Sequence, residues 1–257
     1  MNASAIALDV RNVTKTFTGF VAVDRLSLTL REGERRALIG ANGAGKTTLF
    51  NLLSGRFRPD SGEILYHGRP IQSLPPDEIA RLGLARTFQI TSIYPRLTSL
   101  QNIQVALFAR TGRSHYLFRG ADTIDVDKAM AVLGDVGLEA VAQRESGLLS
   151  SGDQKRLELA IALALQPKLL LLDEPTAGME SRTRRQMVDL VLRICTQREL
   201  TLLFCEHDMD AVFSIADSIT VMHQGQVLVE GSPSEVRGSA EVRAVYLGRG
   251  HQHEPAA

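Results

Sequence analysis

The residues best suited to chemistry form one glycine-rich string, Gly40-Ala41-Asn42-Gly43-Ala44-Gly45-Lys46-Thr47. Its spacing matches a phosphate-binding loop, with an apolar strand before it and a helix after it. Glycines allow backbone angles at which several N–H groups point at one phosphate chain, and the helix adds its positive dipole end. We expect Lys46 to neutralise the β- and γ-phosphates and the Thr47 hydroxyl to ligate Mg²⁺. The string therefore predicts a site for a nucleotide with magnesium.

Two adjacent carboxylates follow the most apolar strand of the sequence, Leu169-Leu170-Leu171-Leu172-Asp173-Glu174. A buried parallel strand delivers them at its carboxyl end, where open α/β sheets bind ligands. Asp173 is expected to hold Mg²⁺ through its water shell, and Glu174 to orient and polarise the attacking water. The alternative is a pair of acidic residues that open a surface turn before Pro175.

A third string, Leu149-Ser150-Ser151-Gly152-Asp153-Gln154, stands before an apparent helix over residues 155–165. Small residues at a helix N-terminus leave N–H groups able to bind an anion. The alternative is an ordinary helix start, with Ser150 or Ser151 as the cap and Asp153 complementing the dipole.

Elements that could position these strings follow from hydrophobic periodicity. Alternation at Leu26, Leu28 and Leu30 predicts a half-buried strand, and residues 64–66 predict one arm of a hairpin. The other predicted strands are 35–39, 168–172 and 201–205. The other predicted helices are 46–53, 98–107 (capped by Thr98), 126–136 and 181–197, and a loop is predicted over 110–122. Apolar strands that alternate with helices imply a parallel sheet covered by helices.

Composition limits the classes of function. The 257 residues carry 29 Lys plus Arg and 29 Asp plus Glu, so there is no global basic field to bind nucleic acid. The two cysteines, Cys195 and Cys205, lack disulfide or metal-ligand spacing, and His251 and His253 in the tail are expected to fray rather than to bind metal. No apolar run reaches membrane-spanning length and no signal peptide is visible, so we expect a cytoplasmic protein that contacts a membrane only through a partner.

The three strings together resemble the nucleotide-binding subunits of ABC transporters over nearly the whole chain, in order and spacing. Residues 40–47 look like Walker A, Asp173-Glu174 like the end of Walker B, and residues 149–154 like the ABC signature, which is the most specific of the three. The resemblance implies an α/β fold: a phosphate-loop NTPase core with a mostly parallel sheet, an N-terminal antiparallel β lobe and an inserted helical subdomain. It places the core with its β lobe at 1–88 and 160–247, the helical subdomain at 89–159 and a flexible tail at 248–257.

Family likeness implies further roles. Phe17 would stack on adenine, Gln89 would lie near Mg²⁺ and the membrane partner, and His207 would touch the γ-phosphate; alternatively, these are a core Phe, a surface Gln and a strand-end His. The ATP-binding residues implied are Phe17, Gly40, Asn42, Gly43, Ala44, Gly45, Lys46, Thr47 and Thr48. The implied catalytic residues are Glu174, His207 and Gln89, and the implied Mg²⁺ ligands are Thr47, Gln89 and Asp173. The residues implied to contact the ATP of a second subunit are Ser150, Ser151, Gly152 and Asp153.

Two departures from the family pattern stand out. The signature reads Ser-Ser-Gly-Asp at 150–153 where Ser-Gly-Gly-Gln is commonest, and Glu180 stands where the D-loop, at Gly178-Met179-Glu180, usually has Asp. Ser150 and Gly152 remain, so the anion grip is expected to survive.

Subfamily likeness is closer. Residues 85–89 (Ala-Arg-Thr-Phe-Gln), the Leu-Ser-x-Gly-Asp-Gln form of the signature, residues 173–179 and the ending Tyr246-Leu247-Gly248 resemble importers of branched-chain amino acids and their urea and amide relatives. This implies a peripheral ATPase at the cytoplasmic face of the plasma (inner) membrane, with a second ATP-binding subunit, permease subunits and, indirectly, a solute-binding protein as partners, and no nucleic acid.

Three alternatives to a transporter subunit stay open. The first is a soluble ABC ATPase that acts on a non-membrane assembly. The second is a phosphate-loop kinase or GTPase, against which stand the signature and the lack of an Asn-Lys-x-Asp string. The third is a regulatory module without catalysis, against which stand Lys46, Glu174 and His207.

Overall fold

The computed structural model describes residues 5–87, 93–111 and 125–244. The chain divides into two compact units: unit one comprises residues 1–73 and 207–257, and unit two comprises residues 74–206. Within the described ranges, no helix has the length and apolar character needed to cross a membrane.

Unit one contains a four-stranded antiparallel sheet, in which the first strand of the chain lies between the second and the fourth. A tight turn joins β1 (Ile6–Phe17) to β2 (Phe20–Arg31), so that Phe17 and Phe20 face each other across the hairpin. Strand β4 (Ser61–Tyr66) pairs with β1 and with the short β5 (Arg69–Pro70), as the hairpin prediction requires. The alternate residues Leu26, Leu28 and Leu30 are buried, which confirms the predicted half-buried strand.

Unit one also holds the strand that leads into the phosphate loop. Strand β3 (Arg35–Gly40) pairs in parallel with β9 (Ser218–His223), which pairs antiparallel with β10 (Gln226–Gly231). Its apolar residues are fully buried, so the strand is a rigid base for the loop that follows. The helices of this unit are α1 (Lys46–Leu53), α7 (Met209–Ile215), α8 (Pro233–Gly238) and α9 (Ala240–Val242).

Charged residues fix the start of β3 to its neighbours. The Arg36 guanidinium is buried and pairs with Glu34 at 2.6 Å and with Glu230. The Arg35 Nε donates to Asp217 Oδ2 at 3.0 Å. Burial raises the pKa of Asp217, but the hydrogen bonds and positive charge of Arg35 outweigh burial and hold that pKa below its usual 3.8.

Unit two contains three parallel strands, β6 (Leu84–Arg86), β7 (Leu169–Asp173) and β8 (Thr201–Cys205), with β7 in the middle. Every residue of β7 and β8 is buried, which confirms the prediction of strands covered on both faces. Strand β7 begins one residue later than predicted and includes Asp173. Helices α2 (Pro76–Leu82) and α6 (Ser181–Arg198) belong to the same unit.

Three further helices of unit two pack against one another: α3 (Ser99–Thr111), α4 (Val126–Val136) and α5 (Ser151–Ala164). Thr98 caps α3, because its Oγ1 accepts from the Gln101 N–H at 3.1 Å while the Gln101 side chain accepts from the Thr98 N–H at 3.0 Å. Helix α4 has its predicted bounds. Most of the loop predicted over 110–122 lies outside the described residues, and α3 continues through Thr111. Two 3₁₀ turns, Glu139–Val141 and Ser146–Leu148, lead to α5.

A buried amide holds the start of this helical group together. Asn102 accepts from the Tyr94 N–H at 2.8 Å and donates to the Tyr94 carbonyl at 3.2 Å, to the Thr98 carbonyl at 3.0 Å and to the Ser146 hydroxyl at 3.1 Å. The Ser146 carbonyl in turn accepts from the Gln154 side chain of α5 at 3.3 Å. A continuous hydrogen-bond network therefore ties the segment before α3 to the first turn of α5.

Candidate functional site

The glycine-rich loop lies in unit one, between β3 and α1. Gly45 has φ of +104° and its missing Cβ would lie 2.4 Å from the Ala22 carbonyl oxygen, so only glycine fits. Gly43 has φ of +81° with open space around it. Helix α1 begins at Lys46, as predicted, and no side chain caps it. The loop thus presents an uncapped helix N-terminus, which is a favourable site for a phosphate.

Lys46 is held against the loop itself. Its side chain is largely buried, and the residue is only 8% exposed. The Nζ donates to the Gly40 carbonyl at 2.6 Å and to the Ala41 carbonyl at 3.1 Å. Because a desolvated ammonium must be compensated, these carbonyls fix its position at the mouth of the loop. Thr47 is exposed and Thr48 half-buried on the first turn of α1.

Phe17 lies at the end of β1 and is 38% exposed, so it is not a core residue. Its ring meets the Phe57 ring edge-on, with centroids 5.3 Å apart and planes at 68°. The Lys15 Nζ lies 5.5 Å from the Phe17 centroid. An exposed aromatic face at this position can accept a planar base.

The acidic pair lies in unit two, at the carboxyl end of β7. Asp173 is buried, and its Oδ2 accepts from Arg86 Nη2 at 2.8 Å, with side-chain exposures of 2% and 4%. It is therefore not a surface carboxylate. Arg86 lies on the neighbouring strand β6, and sequence analysis gave it no role of its own. An arginine within an otherwise apolar strand is the sequence feature that could have indicated a buried ion pair.

Glu174 follows in a sparsely populated backbone conformation. It is half-buried, has φ of +52°, and its N–H donates to the Cys205 carbonyl at 3.0 Å. A non-glycine residue in this region carries backbone strain, which concentrates at functional sites. The neighbouring turn is fixed by Glu206, a buried carboxylate that accepts from the Thr176 N–H at 2.7 Å and that sequence reasoning did not assign.

The structure corrects the start of the helix behind the signature. Helix α5 begins at Ser151 rather than at 155, so Ser151, Gly152 and Asp153 form its first turn. Ser150 is the cap: its Oγ accepts from the Asp153 N–H at 3.2 Å and donates to Asp153 Oδ2 at 2.8 Å. The small residues were predicted to precede the helix, but the Ser150 cap, one of the two caps considered, satisfies the first turn and lets the helix begin four residues earlier.

The remaining predicted residues are described only in part. Gln89 lies outside the described residues, as do Tyr246-Leu247-Gly248, His251 and His253. His207 is exposed in unit one, directly before Asp208, which caps α7 by accepting from the Ala211 N–H at 2.9 Å. Glu180 is exposed at the start of α6 and makes no side-chain cap.

Possible metal ligands are few. In residues 5–87, 93–111 and 125–244 no group of three or more His, Cys, Asp or Glu could hold a metal ion. Mg²⁺ bound with a nucleotide needs no such cage, because one or two protein oxygens, phosphates and waters complete its shell. The Thr47 hydroxyl and the Asp173 carboxylate are ligands of the kind Mg²⁺ takes, so the donor chemistry fits.

A buried strand, a glycine loop with its lysine and a following uncapped helix define a phosphate-loop nucleotide-binding protein of the α/β class. Comparison with known proteins narrows this class. The ABC transporter family profile matches residues 23–177, and the profile described as branched-chain amino acid ATP-binding cassette transporter matches residues 226–252.

Full-length relatives carry the same assignment. The chain is 39% identical over 248 residues to the high-affinity branched-chain amino acid transport ATP-binding protein LivG of Salmonella typhimurium, covering 94% of this chain and 97% of the relative. It is 36% identical, with the same coverages, to BraF of Pseudomonas aeruginosa, which has the same description.

Solved structures agree with the sequence relatives. The ADP conformation of MJ1267, an ATP-binding cassette of an ABC transporter, is 29% identical with a TM-score of 0.84, covering 95% of this chain and 99% of that one. The dimeric post-hydrolysis state of the cassette MJ0796 bound to ADP and Pi is 26% identical with a TM-score of 0.76, covering 88% and 98%. The chain belongs to the ABC transporter family and is an ATPase of the ATP-binding cassette type. The predicted family, fold class and ATPase activity are thereby confirmed.

Proposed function

We propose that this chain is the ATP-hydrolysing subunit of an importer for branched-chain amino acids or related small polar solutes. The observation that carries the proposal is the loop geometry, in which Lys46 is fixed at the start of an uncapped helix. The cargo class rests on the printed descriptions of LivG and BraF.

ATP binding is assigned to the loop residues of unit one. Lys46 exchanges its hydrogen bonds with the loop carbonyls for the β- and γ-phosphates, and N–H groups of the loop and α1 bind the same phosphates. Phe17 stacks on the adenine with its exposed face. Thr47 and Asp173, with Gln89, would hold Mg²⁺. When bound, Mg²⁺ neutralises charge that develops on the transferring phosphoryl group.

Hydrolysis is assigned to Glu174, with His207 at the γ-phosphate. The half-buried carboxylate of Glu174 accepts a hydrogen bond from the attacking water and orients it. The strained backbone at Glu174 and its bond to the Cys205 carbonyl support this role, because they fix where the side chain begins. Removing such a proton-accepting group typically costs 10²- to 10⁴-fold in rate.

A second cassette completes each ATP site in the proposed cycle. The dimeric MJ0796 structure supports pairing of cassettes. Each ATP then lies between the phosphate loop of one subunit and the first turn of α5 of the other, at Ser150 to Asp153. In the single chain Ser150 donates to Asp153, so closure requires Ser150 to turn towards the γ-phosphate.

Closure of the pair by ATP and reopening after hydrolysis would drive a permease between inward- and outward-facing states. We assign the docking of that permease to the helical subdomain over 89–159, with Gln89 at its hinge. The chain would therefore work at the cytoplasmic face of the inner membrane, with a solute-binding protein supplying cargo to the permease.

The test is recovery of the tagged full-length chain from membranes of its host, with the bound proteins identified. The importer predicts a multi-span permease and a binding protein, and the ligand of that binding protein gives the cargo. A chain carrying Lys46→Ala serves as a control for contacts that need no nucleotide. Recovery of soluble partners alone, with ATPase activity intact, would favour a soluble ABC ATPase acting on a non-membrane assembly instead.

A further inference from the structure

Phe57 is the partner of the proposed base-stacking ring. The two rings meet edge to face, with centroids 5.3 Å apart, although the residues are forty positions apart in sequence. Phe17 makes this contact while the residue as a whole stays 38% exposed. An edge-to-face contact favours one ring orientation over the rotations that an unsupported exposed ring would sample.

The backbone at Phe57 is fixed to the helix that starts at the phosphate loop. The N–H groups of Arg56 and Phe57 both donate to the Asn51 carbonyl, at 2.9 and 3.1 Å. Asn51 lies on α1, whose first residue is Lys46. One short helix therefore carries the phosphate-binding lysine at its beginning and holds Phe57 just past its end.

A second set of bonds ties the same segment to β1. Asp60 accepts from Lys15 Nζ at 2.7 Å and from the Thr16 N–H at 2.7 Å, and the Asp60 N–H donates to the Thr14 carbonyl at 2.8 Å. The strand end that carries Phe17 is thus clamped to residues 57–60 by both backbone and side chains.

We propose that Phe57 is a positioning residue for adenine binding: through its ring contact it orients Phe17, and through α1 it keeps that ring in register with the phosphate loop. This inference rests on the proposed stacking role of Phe17. The binding positions of the adenine and of the phosphates are then set by β1 and α1, which are tied together within unit one, so base and phosphates bind together without reordering the site.

The experiment measures dissociation constants of ATP, ADP and inorganic tripolyphosphate for the full-length chain and its variants. Phe57→Leu should raise the dissociation constants of ATP and ADP by about 2- to 12-fold, the range that corresponds to loss of one aromatic pair. Tripolyphosphate should bind as it does to wild type, because it has no base. Phe57→Tyr, which keeps the ring, should retain wild-type affinity for all three.

Phe213→Leu is the matched control. Phe213, like Phe57, is a half-buried phenylalanine of unit one, and the Arg237 guanidinium lies 4.1 Å from its ring centroid. This variant should change none of the three constants. In a Phe17→Leu background, Phe57→Leu should add nothing, because the ring that it orients is gone.

The outcomes separate this inference from the stacking proposal. If Phe17→Leu leaves ATP affinity unchanged, the stacking role fails and the inference fails with it. If Phe17→Leu weakens ATP and Phe57→Leu does not, stacking stands and the positioning role is overturned. Equal weakening of ATP and tripolyphosphate by Phe57→Leu would also overturn it, because the effect would then be a general loss of structure.

Discussion

The buried pair between Arg86 and Asp173 makes a quantitative prediction about stability. The two side chains are 4% and 2% exposed and their charged atoms are 2.8 Å apart. Replacing Arg86 by Met removes the cation and leaves the Asp173 carboxylate desolvated and uncompensated. Breaking a buried pair in this way costs about 3–5 kcal/mol. For a chain of this size, that corresponds to a fall in Tm of roughly 6–20 °C.

The chain offers a matched surface pair as control. Arg81 Nη2 and Asp77 Oδ2 are also 2.8 Å apart in unit two, but their side chains are 53% and 61% exposed. Solvent screens such a pair, so Arg81→Met should cost no more than about 0.5 kcal/mol. The two ion pairs have the same N···O distance but different burial, so a difference in their stability loss reports the effect of desolvation.

Urea and thermal unfolding without nucleotide or Mg²⁺ provide the assay, since ligand binding would add its own stabilisation. Arg86→Met and Asp173→Asn should each destabilise the chain strongly. The double variant should cost less than the sum of the two, because it removes both buried charges together. An Arg86→Met variant no less stable than Arg81→Met would refute the reasoning.

Three further predictions concern the scaffold. Gly45→Ala should cost about 3 kcal/mol in urea unfolding and Gly43→Ala only about 1 kcal/mol. Both glycines have positive φ, but only a Cβ at position 45 would clash with the backbone. Equal costs would contradict this steric explanation. Asn102→Ala should cost about 1–2 kcal/mol by the same measurement, since the Tyr94 N–H loses its acceptor while the Tyr94 and Thr98 carbonyls keep other donors. A cost below about 0.5 kcal/mol would show that water replaces the amide. The pKa of Asp217 is lowered in the folded state, so this carboxylate stabilises the fold above about pH 4 and the contribution is lost as the pH falls below that value. The stability advantage of wild type over Asp217→Asn should therefore shrink on acidification. A constant difference in unfolding free energy from pH 7 to pH 3 would rule out the pairing with Arg35 as the source of that advantage.

Sequence predicted the local parts of this molecule well, for physical reasons visible in particular residues. Helix α1 begins where Gly45 ends the loop, and α4 ends where Gly137 adopts a left-handed backbone, so both have their predicted bounds. The apolar run 169–172 favoured a buried strand, which the structure confirms, and Asp173 lies at the end of that strand.

Long-range pairings were not predictable from one sequence. Arg86 meets Asp173 across 87 positions and Phe57 meets Phe17 across 40, and no local pattern encodes either contact. The start of α5 was misplaced because Ser151 and Gly152 have low helix propensity. The Ser150 cap that overrides this propensity is a local contact with Asp153, which the sequence analysis named only as an alternative. The roles assigned to the site residues all stay predictions: those of Phe17 and the phosphate loop, of Asp173 and Glu174, of Gln89 and His207, and of the signature residues.

The measurement that tests the central claim most directly compares ATP binding and hydrolysis in Glu174→Gln and wild type. Glu199→Gln is the matched control, because Glu199 also has a left-handed backbone, with φ of +50° against +52° at Glu174, but lies exposed at the end of α6. We expect Glu174→Gln to bind ATP with wild-type affinity while turnover falls by at least about 100-fold, and Glu199→Gln to match wild type in both. Wild-type turnover in Glu174→Gln would contradict the assignment of this carboxylate and, with it, the proposed hydrolytic mechanism.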